Sequence, residues 1–160
     1  MSDALGELLV FRELGDLACA YCYHFDNNEP EAVAELFTED ARIDYGPEVE
    51  PIVGRERIAP AIAVGLRERF LATSHHLSNM RISLEAADAA TAIAYVYAWH
   101  RYRDGSPDGE LWGRYHYRFR RTDAGWKIAE LVLRAAGTKH FHRDRMHGIG
   151  RRQSDAPASD

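Results

Sequence analysis

A chain of 160 residues with 46% hydrophobic and 28% charged residues has the composition of one globular domain with its own core. Its formal net charge of −5 argues against nucleic acid as the main partner. Charged residues interrupt the apolar stretches before they reach a membrane-spanning length, and the first residues do not resemble a signal peptide. We therefore expect a cytoplasmic protein with no membrane contact.

The first 70 residues have the residue spacing of helices. Apolar residues recur at helical intervals over residues 5–26, which predicts a long first helix. Pro30 suits the first turn of a short second helix, predicted over Glu31 to Phe37. A first strand is predicted over residues 41–45, and after a loop a third helix is predicted from Arg55 to Phe70.

The second half of the chain has the pattern of strands joined by turns. Four strand-like segments follow one another, at residues 74–84, 89–103, 110–121 and 126–135. Three helices followed by antiparallel hairpins indicate an α+β fold. We predict a cone-shaped α+β barrel, in which three N-terminal helices pack on a strongly curved, mostly antiparallel sheet. The mouth of such a cone is a natural place for a small-molecule pocket.

The chain is predicted to form one domain, residues 1–140, and a tail. From residue 141 to residue 160 the sequence is basic and then small and polar, and we expect this tail to be partly disordered. His140 and His142 stand on either side of the boundary between the domain and the tail. No carboxylate or cysteine stands at ligand spacing from these histidines. No metal site and no cofactor are expected.

Two adjacent histidines stand at the start of the first long strand. Period-two alternation places His75 and His76 on opposite faces, so only one of them can face a given cavity. Imidazole is the side chain whose ordinary pKa allows proton transfer near neutral pH. On the next strand His100 interrupts an apolar face that contains Val96. Alternation alone leaves open which face of that strand is concave.

Cys19 and Cys22 form a C-x-x-C pair late in the first predicted helix. A redox pair would instead follow a strand and open a helix, where the helix dipole lowers a thiol pKa. We interpret both cysteines as buried structural residues rather than as a redox or metal site.

The order of several landmarks resembles the SnoaL-like, scytalone dehydratase-like branch of the nuclear-transport-factor-two-like superfamily. The resemblance covers residues 7–138 and rests on Phe25-Asp26, Arg42-Ile43-Asp44-Tyr45, His75, Trp99-His100-Arg101-Tyr102 and Gly125-Trp126-Lys127-Ile128. It implies a cofactor-independent lyase that acts on a cyclic or aromatic small molecule, with related isomerases, cyclases and carbon–carbon lyases as alternatives. A non-catalytic binding module of the same fold is a further alternative. The resemblance also implies a homo-oligomer, a trimer or dimer formed through the sheet.

The same resemblance assigns catalytic roles. Asp26 matches a carboxylate that pairs with a histidine, which is His75 in some relatives and His100 in others. Tyr45 and Tyr21 match active-site tyrosines. On periodicity alone Asp26 lies roughly 100° from the centre of the apolar stripe, which favours a solvated carboxylate at the helix end.

Three further residues are predicted to contact the substrate, namely Phe25, Val96 and Tyr115. Phe25 stands where scytalone dehydratases have a second tyrosine, and Gly113 and Tyr115 lie near the positions of their serine and asparagine. These departures predict a substrate other than scytalone.

Overall fold

Three helices lie within the first 70 residues of the computed structural model, which describes residues 4–150. Helix α1 spans Ala4–Asp26, α2 spans Pro30–Glu35, and α3 spans Ile58–Glu68 directly after a 3₁₀ turn at Arg55–Arg57. None of the helices in this part of the chain is long and apolar enough to cross a membrane.

Six strands form one sheet with the order β2-β1-β6-β5-β4-β3. The strands are β1 (Phe37–Asp44), β2 (Ile52–Val53), β3 (Phe70–Ala86), β4 (Ala89–Tyr102), β5 (Gly109–Thr122) and β6 (Gly125–Lys139). Neighbouring strands are antiparallel except for β1 and β6, which run parallel. The predicted α+β fold, with three helices on a curved and mostly antiparallel sheet, is confirmed.

The second helix and the first strand differ from their predicted bounds. Helix α2 ends at Glu35, and β1 begins at Phe37, which was predicted to be helical. Phe37 pairs with Ile128 of β6, whose amide donates to the Leu36 carbonyl at 2.9 Å. This hydrogen bonding to a distant strand overrides the local helical pattern, which cannot report it.

The third helix also ends earlier than predicted. Phe70 does not close α3 but opens β3, where it pairs with Tyr102 of β4. The short strand β2 pairs with Arg42 and Ile43 of β1 inside the segment predicted to be a loop. Its two residues are too few to give an alternating pattern.

Alternate residues of β4 turn toward the helices, so the face of β4 that contains His100 is the concave one. Its buried residues are mostly small, namely Ala90, Ala92, Ala94, Val96 and Ala98, and the face ends with His100 and Tyr102. Small side chains leave room for α1, whose Leu14, Ala18 and Tyr21 are buried in the same core. Tyr95 lies on the outer face with 41% of its surface exposed.

The segment after β6 packs against the sheet as far as the structure describes it. The Ala135 amide donates to the His147 carbonyl at 2.8 Å, and the Ile149 amide donates to the Ala135 carbonyl at 3.1 Å. Asp44 of β1 also bonds the His147 ring at 3.0 Å. Residues 151–160 of the predicted tail lie outside the described residues.

Gly113 is predicted to be intolerant of a side chain. It stands where β5 shifts register against β6, and a Cβ there would lie 2.5 Å from the Arg134 carbonyl oxygen. Because that contact is with backbone, Gly113→Ala is expected to lower the free energy of unfolding by about 1–3 kcal/mol. Chemical denaturation measures this change.

Gly137→Ala in β6 is the matched control, since nothing lies within 4 Å of its Cβ position. It is expected to change the unfolding free energy by less than about 0.5 kcal/mol. Equal effects of the two substitutions would contradict the proposed clash.

Candidate active site

Asp26 is bound to the beginning of β3 through three hydrogen bonds. Its Oδ1 lies 2.6 Å from Nδ1 of His75 and accepts the Thr73 hydroxyl at 2.7 Å. Its Oδ2 accepts the backbone amide of His75 at 2.7 Å. The carboxylate therefore contacts both the ring and the backbone of the same histidine, as the resemblance predicted for one of its two alternatives.

These contacts determine the protonation of the pair. Burial opposes ionisation of Asp26, but the hydrogen bonds from His75 and Thr73 and the adjacent imidazole outweigh it and hold the pKa of Asp26 below its ordinary value. An ionised carboxylate accepts the proton on Nδ1 of His75, which leaves Nε2 of the neutral ring unprotonated. That nitrogen can act as a base.

Two tyrosines form a hydrogen-bonded pair in the same region. The hydroxyl oxygens of Tyr21, on α1, and Tyr45, directly after β1, are 2.6 Å apart. Burial raises the pKa of Tyr45 to about 12 and that of Tyr21 well above its ordinary value. Both are therefore protonated at neutral pH, and one bond between two hydroxyls leaves one O–H free to donate to a ligand.

His100 does not bond to Asp26. Its ring lies edge-on to that of His75, with centroids 5.4 Å apart. Burial, with His75 nearby, lowers the pKa of His100 to about 3, so the ring is neutral at physiological pH. Its Nδ1 is buried and has no hydrogen-bond partner within residues 4–150.

The two histidines His75 and His100 and the two tyrosines Tyr21 and Tyr45 line one cavity. Thirteen residues line it, namely Tyr21, Phe25, Tyr45, Phe70, His75, Ala98, His100, Leu111, Tyr115, Leu133, Phe141, His142 and Arg143. Asp26 is not among them and acts on the cavity through His75. Val96 is buried but does not line the cavity, whereas the next inward residue of β4, Ala98, does.

Phe25 and Tyr115 are placed against the functional groups. The ring of Phe25 stands edge-on to His75 at a centroid distance of 5.0 Å. Tyr115 of β5 packs edge-on against Tyr21 at 5.7 Å. His76 points away from the cavity and lies 5.9 Å from the ring of Tyr97 on the outer face. The predicted separation of the two adjacent histidines is observed.

Sequence reasoning did not identify eight residues at this site, namely Thr73, which bonds Asp26, and the lining residues Phe70, Ala98, Leu111, Leu133, Phe141, His142 and Arg143. Thr73 stands two positions before His75 and shares its face, so strand parity could have found it. Phe141, His142 and Arg143 belong to the segment interpreted as a tail, where no periodicity marks an inward side chain.

The cavity is small and adjoins a larger groove. The inner cavity has a volume of about 60 Å³, which holds a few water molecules. The groove outside it has a volume of about 490 Å³. The two spaces share a wall, defined here as Phe25, Tyr45, Phe70, His142 and Arg143. A substrate larger than a few atoms requires these side chains to move.

Two other candidates, a metal site and a redox pair of cysteines, are not formed by the described residues. Within residues 4–150 no three histidine, cysteine, aspartate or glutamate residues could hold a metal ion. Cys22 is buried in the core as predicted, whereas Cys19 is exposed, so the prediction of burial is wrong for Cys19. No disulfide joins the two cysteines. Burial raises the pKa of the Cys22 thiol, which disfavours the reactive thiolate.

The model of the SnoaL-like domain matches residues 6–132. The chain belongs to the SnoaL-like family. A comparison with curated proteins finds no match.

Three solved structures from Novosphingobium are similar to this chain in fold. A protein of N. aromaticivorans with the provisional name scytalone dehydratase is 33% identical, with a TM-score of 0.85, and the alignment covers 92% of this chain and 97% of that one. Another from the same organism, provisionally named an aromatic ring hydroxylase, is 30% identical, with a TM-score of 0.70 and coverages of 75% and 84%.

The third structure is a hexachlorocyclohexane dehydrochlorinase of N. barchaimii. It is 18% identical with a TM-score of 0.78, and the alignment covers 92% of this chain and 99% of that one. At this identity the likeness supports the fold alone.

The contribution of Asp26 to stability is expected to depend on pH. A folded-state pKa below the ordinary value of 3.8 means that the ionised carboxylate stabilises the fold above that pH. The contribution is lost as the pH falls through the lowered folded-state pKa. Asp26→Asn should therefore cost about 1–3 kcal/mol of unfolding free energy at pH 7, and less below about pH 4. Chemical denaturation across this range measures both values.

Asp16→Asn provides the control on the same helix, because Asp16 is exposed and pairs with Arg12 at 3.5 Å. Its effect should stay below about 0.5 kcal/mol at every pH. A cost of Asp26→Asn that is constant from pH 7 to about pH 3 would contradict the assigned hydrogen bonding.

Proposed function

We propose that this SnoaL-like protein is a cofactor-independent lyase of the dehydratase type, which eliminates water or another small leaving group from a cyclic or aromatic small molecule. The observation that carries the proposal is the 2.6 Å contact between Asp26 and Nδ1 of a cavity-lining histidine. A carboxylate in this position fixes the imidazole tautomer and stabilises the imidazolium formed on proton uptake.

In the proposed reaction Nε2 of His75 removes a proton from the carbon next to a carbonyl group. Negative charge then develops on the carbonyl oxygen, and the free hydroxyl proton of the Tyr21–Tyr45 pair donates to it. The leaving hydroxyl takes the proton that His75 removed and departs as water. The imidazole returns to its neutral form, so the cycle consumes no cofactor.

The name of one relative supports this class of reaction. The 33% identical neighbour is provisionally named a dehydratase. Phe25, Tyr45 and Phe70 give the proposed binding space aromatic sides, which suits a cyclic or aromatic substrate. An isomerase, a cyclase or a carbon–carbon lyase would use the same proton abstraction and differ in the fate of the carbanion.

A second candidate, a non-catalytic small-molecule-binding module, is favoured by the small inner volume. Small-molecule sites typically enclose about 300–1,000 Å³, whereas the inner cavity measures about 60 Å³. This candidate leaves the bond between Asp26 and His75 without a chemical role. Proton abstraction therefore discriminates between the two functions.

His75→Ala is expected to remove the proposed activity while His76→Ala retains it. The probe is 3-hydroxy-1-tetralone, a bicyclic β-hydroxyketone that loses water to form 1-naphthol, followed by mass spectrometry. Loss of the base should reduce kcat/KM by about 10²- to 10⁴-fold. His76 is the matched control because it neighbours His75 but lies exposed on the outer face.

Hydrogen–deuterium exchange into 1-tetralone in D₂O isolates the first step, since this ketone has no hydroxyl to eliminate. Exchange that depends on His75 without loss of water from the hydroxyketone would favour an isomerase or carbon–carbon lyase. Absence of both reactions for the wild-type protein would support the binding module and contradict the lyase.

We also propose that copies of the chain assemble through the outer face of the sheet. Tyr95 and Trp112 on neighbouring strands expose 41% and 44% of their surfaces there. Light scattering is expected to give two or three times the chain mass at micromolar concentration, and Trp112→Glu should lower it. A wild-type mass equal to one chain would exclude this assembly.

A further inference from the structure

Arg143 places a permanent positive charge in the wall between the inner cavity and the outer groove. Its Nη1 donates to the Tyr45 carbonyl at 3.0 Å, and its guanidinium carbon lies 5.5 Å from the centre of the Tyr45 ring. No carboxylate within residues 4–150 forms an ion pair with it. Arg145, two residues later, is mostly exposed and pairs with Glu48 at 3.5 Å. Arg143, the more buried of the two, thus forms no ion pair among the described residues, and Glu48 acts on it only through its charge.

A partly buried cation without an anion is costly unless something compensates it. Burial lowers the pKa of Arg143, but a guanidinium stays charged at neutral pH. The guanidinium has five N–H donors, and the Tyr45 carbonyl accepts a hydrogen bond from one of its nitrogens, Nη1. The other donors are available to a ligand in the cavity or the groove, both of which Arg143 lines.

His142 provides an unused polar atom beside Arg143. Its Nδ1 is buried and has no partner among the described residues, and the same is true of Nδ1 of His100. The two rings lie 5.7 Å apart. Burial, with Arg143 nearby, lowers the pKa of His142 to about 2, so the ring is neutral and can donate one hydrogen bond.

The functional groups of the cavity thus divide into two sets. The set of His75, Tyr21 and Tyr45 is hydrogen-bonded internally or to Asp26. The buried Nδ1 atoms of His100 and His142 have no hydrogen-bond partner among the described residues. Arg143 forms no ion pair there, and Glu48 acts on it only through its charge. Free guanidinium donors beside an unpartnered imidazole match a ligand group that is anionic and accepts several hydrogen bonds.

We propose that Arg143, assisted by His142, binds a carboxylate group on an aromatic substrate. A carboxylate matches the forked guanidinium, and its second oxygen can accept from the neighbouring imidazole. Phe25, Phe70 and Tyr45 of the wall provide aromatic surfaces for the ring that bears the carboxylate.

Charge in the outer groove does not supply this selectivity. Glu48 accepts the backbone amides of Asp144 and Arg145, at 3.3 and 2.8 Å, and so holds the segment in place. Glu50 and Arg69 line the groove with opposite charges. Of the residues that line the inner cavity, Arg143 alone carries a charge at every physiological pH. Selection for an anion therefore depends on Arg143.

The inference names a substrate class for the site of the proposed function and rests on that function only in using the same cavity. Its test is a binding measurement that needs no turnover. Benzoate and benzamide have nearly the same shape but differ in charge, and each is titrated into the protein by calorimetry. The wild-type protein is expected to bind benzoate at least about tenfold more tightly than benzamide.

Arg143→Met should bring the ratio of the two affinities close to one. Arg145→Met, which removes the same charge from an exposed position of the same segment, should leave the ratio at its wild-type value. Arg143→Lys keeps the charge but loses the fork, so the ratio should fall several-fold. This variant carries the test if the methionine variant does not fold.

Equal affinity of the wild-type protein for both probes, or binding of neither, would overturn the inference. A full preference for benzoate in Arg143→Met, or in Arg143→Lys if only that variant folds, would do the same. The proposed elimination can fail independently. A preference for benzoate that depends on Arg143, without proton abstraction by His75, would retain the carboxylate site and remove the lyase.

Discussion

The attachment of Asp26 to β3 is the interaction on which the site depends. One carboxylate at the last residue of α1 accepts hydrogen bonds from the His75 ring, the His75 amide and the Thr73 hydroxyl. The end of the helix is thereby fixed to the start of the strand, and the imidazole is fixed in orientation. Tyr21 lies five residues earlier on α1, so the same attachment helps to place its hydroxyl beside Tyr45.

The electrostatic character of the cavity follows from its burial. His100 and His142 are kept neutral because the surrounding protein excludes water from their rings. The buried tyrosines are kept protonated for the same reason. His75 differs from the other two histidines because an ionised carboxylate contacts its ring. Three histidines in one cavity can thus have different roles without any difference in side-chain chemistry.

Asp26 and Arg143 show how far sequence reasoning reaches. Helix, strand and parity patterns were sufficient to predict the α+β fold and to place His75 and His76 on opposite faces. Helical periodicity placed Asp26 outside the apolar stripe, because periodicity reports the face that enters the core and Asp26 instead reaches an adjacent strand. Only the family resemblance pointed to it. Arg143 had no signal at all, since its position is determined by long-range contacts with Tyr45 and by the binding of the neighbouring backbone to Glu48.

The proposed base and the proposed carboxylate-binding residues lie on different parts of the fold. The proposed base and its carboxylate lie on a long helix and a long strand, which are held by regular hydrogen bonding and a shared core. His142 and Arg143 lie on an irregular segment attached through a few polar contacts. Sequence changes in such a segment alter what the cavity binds without disturbing the pair of Asp26 and His75. A fold arranged in this way can keep one proton-transfer device and accept substrates of different shape and charge.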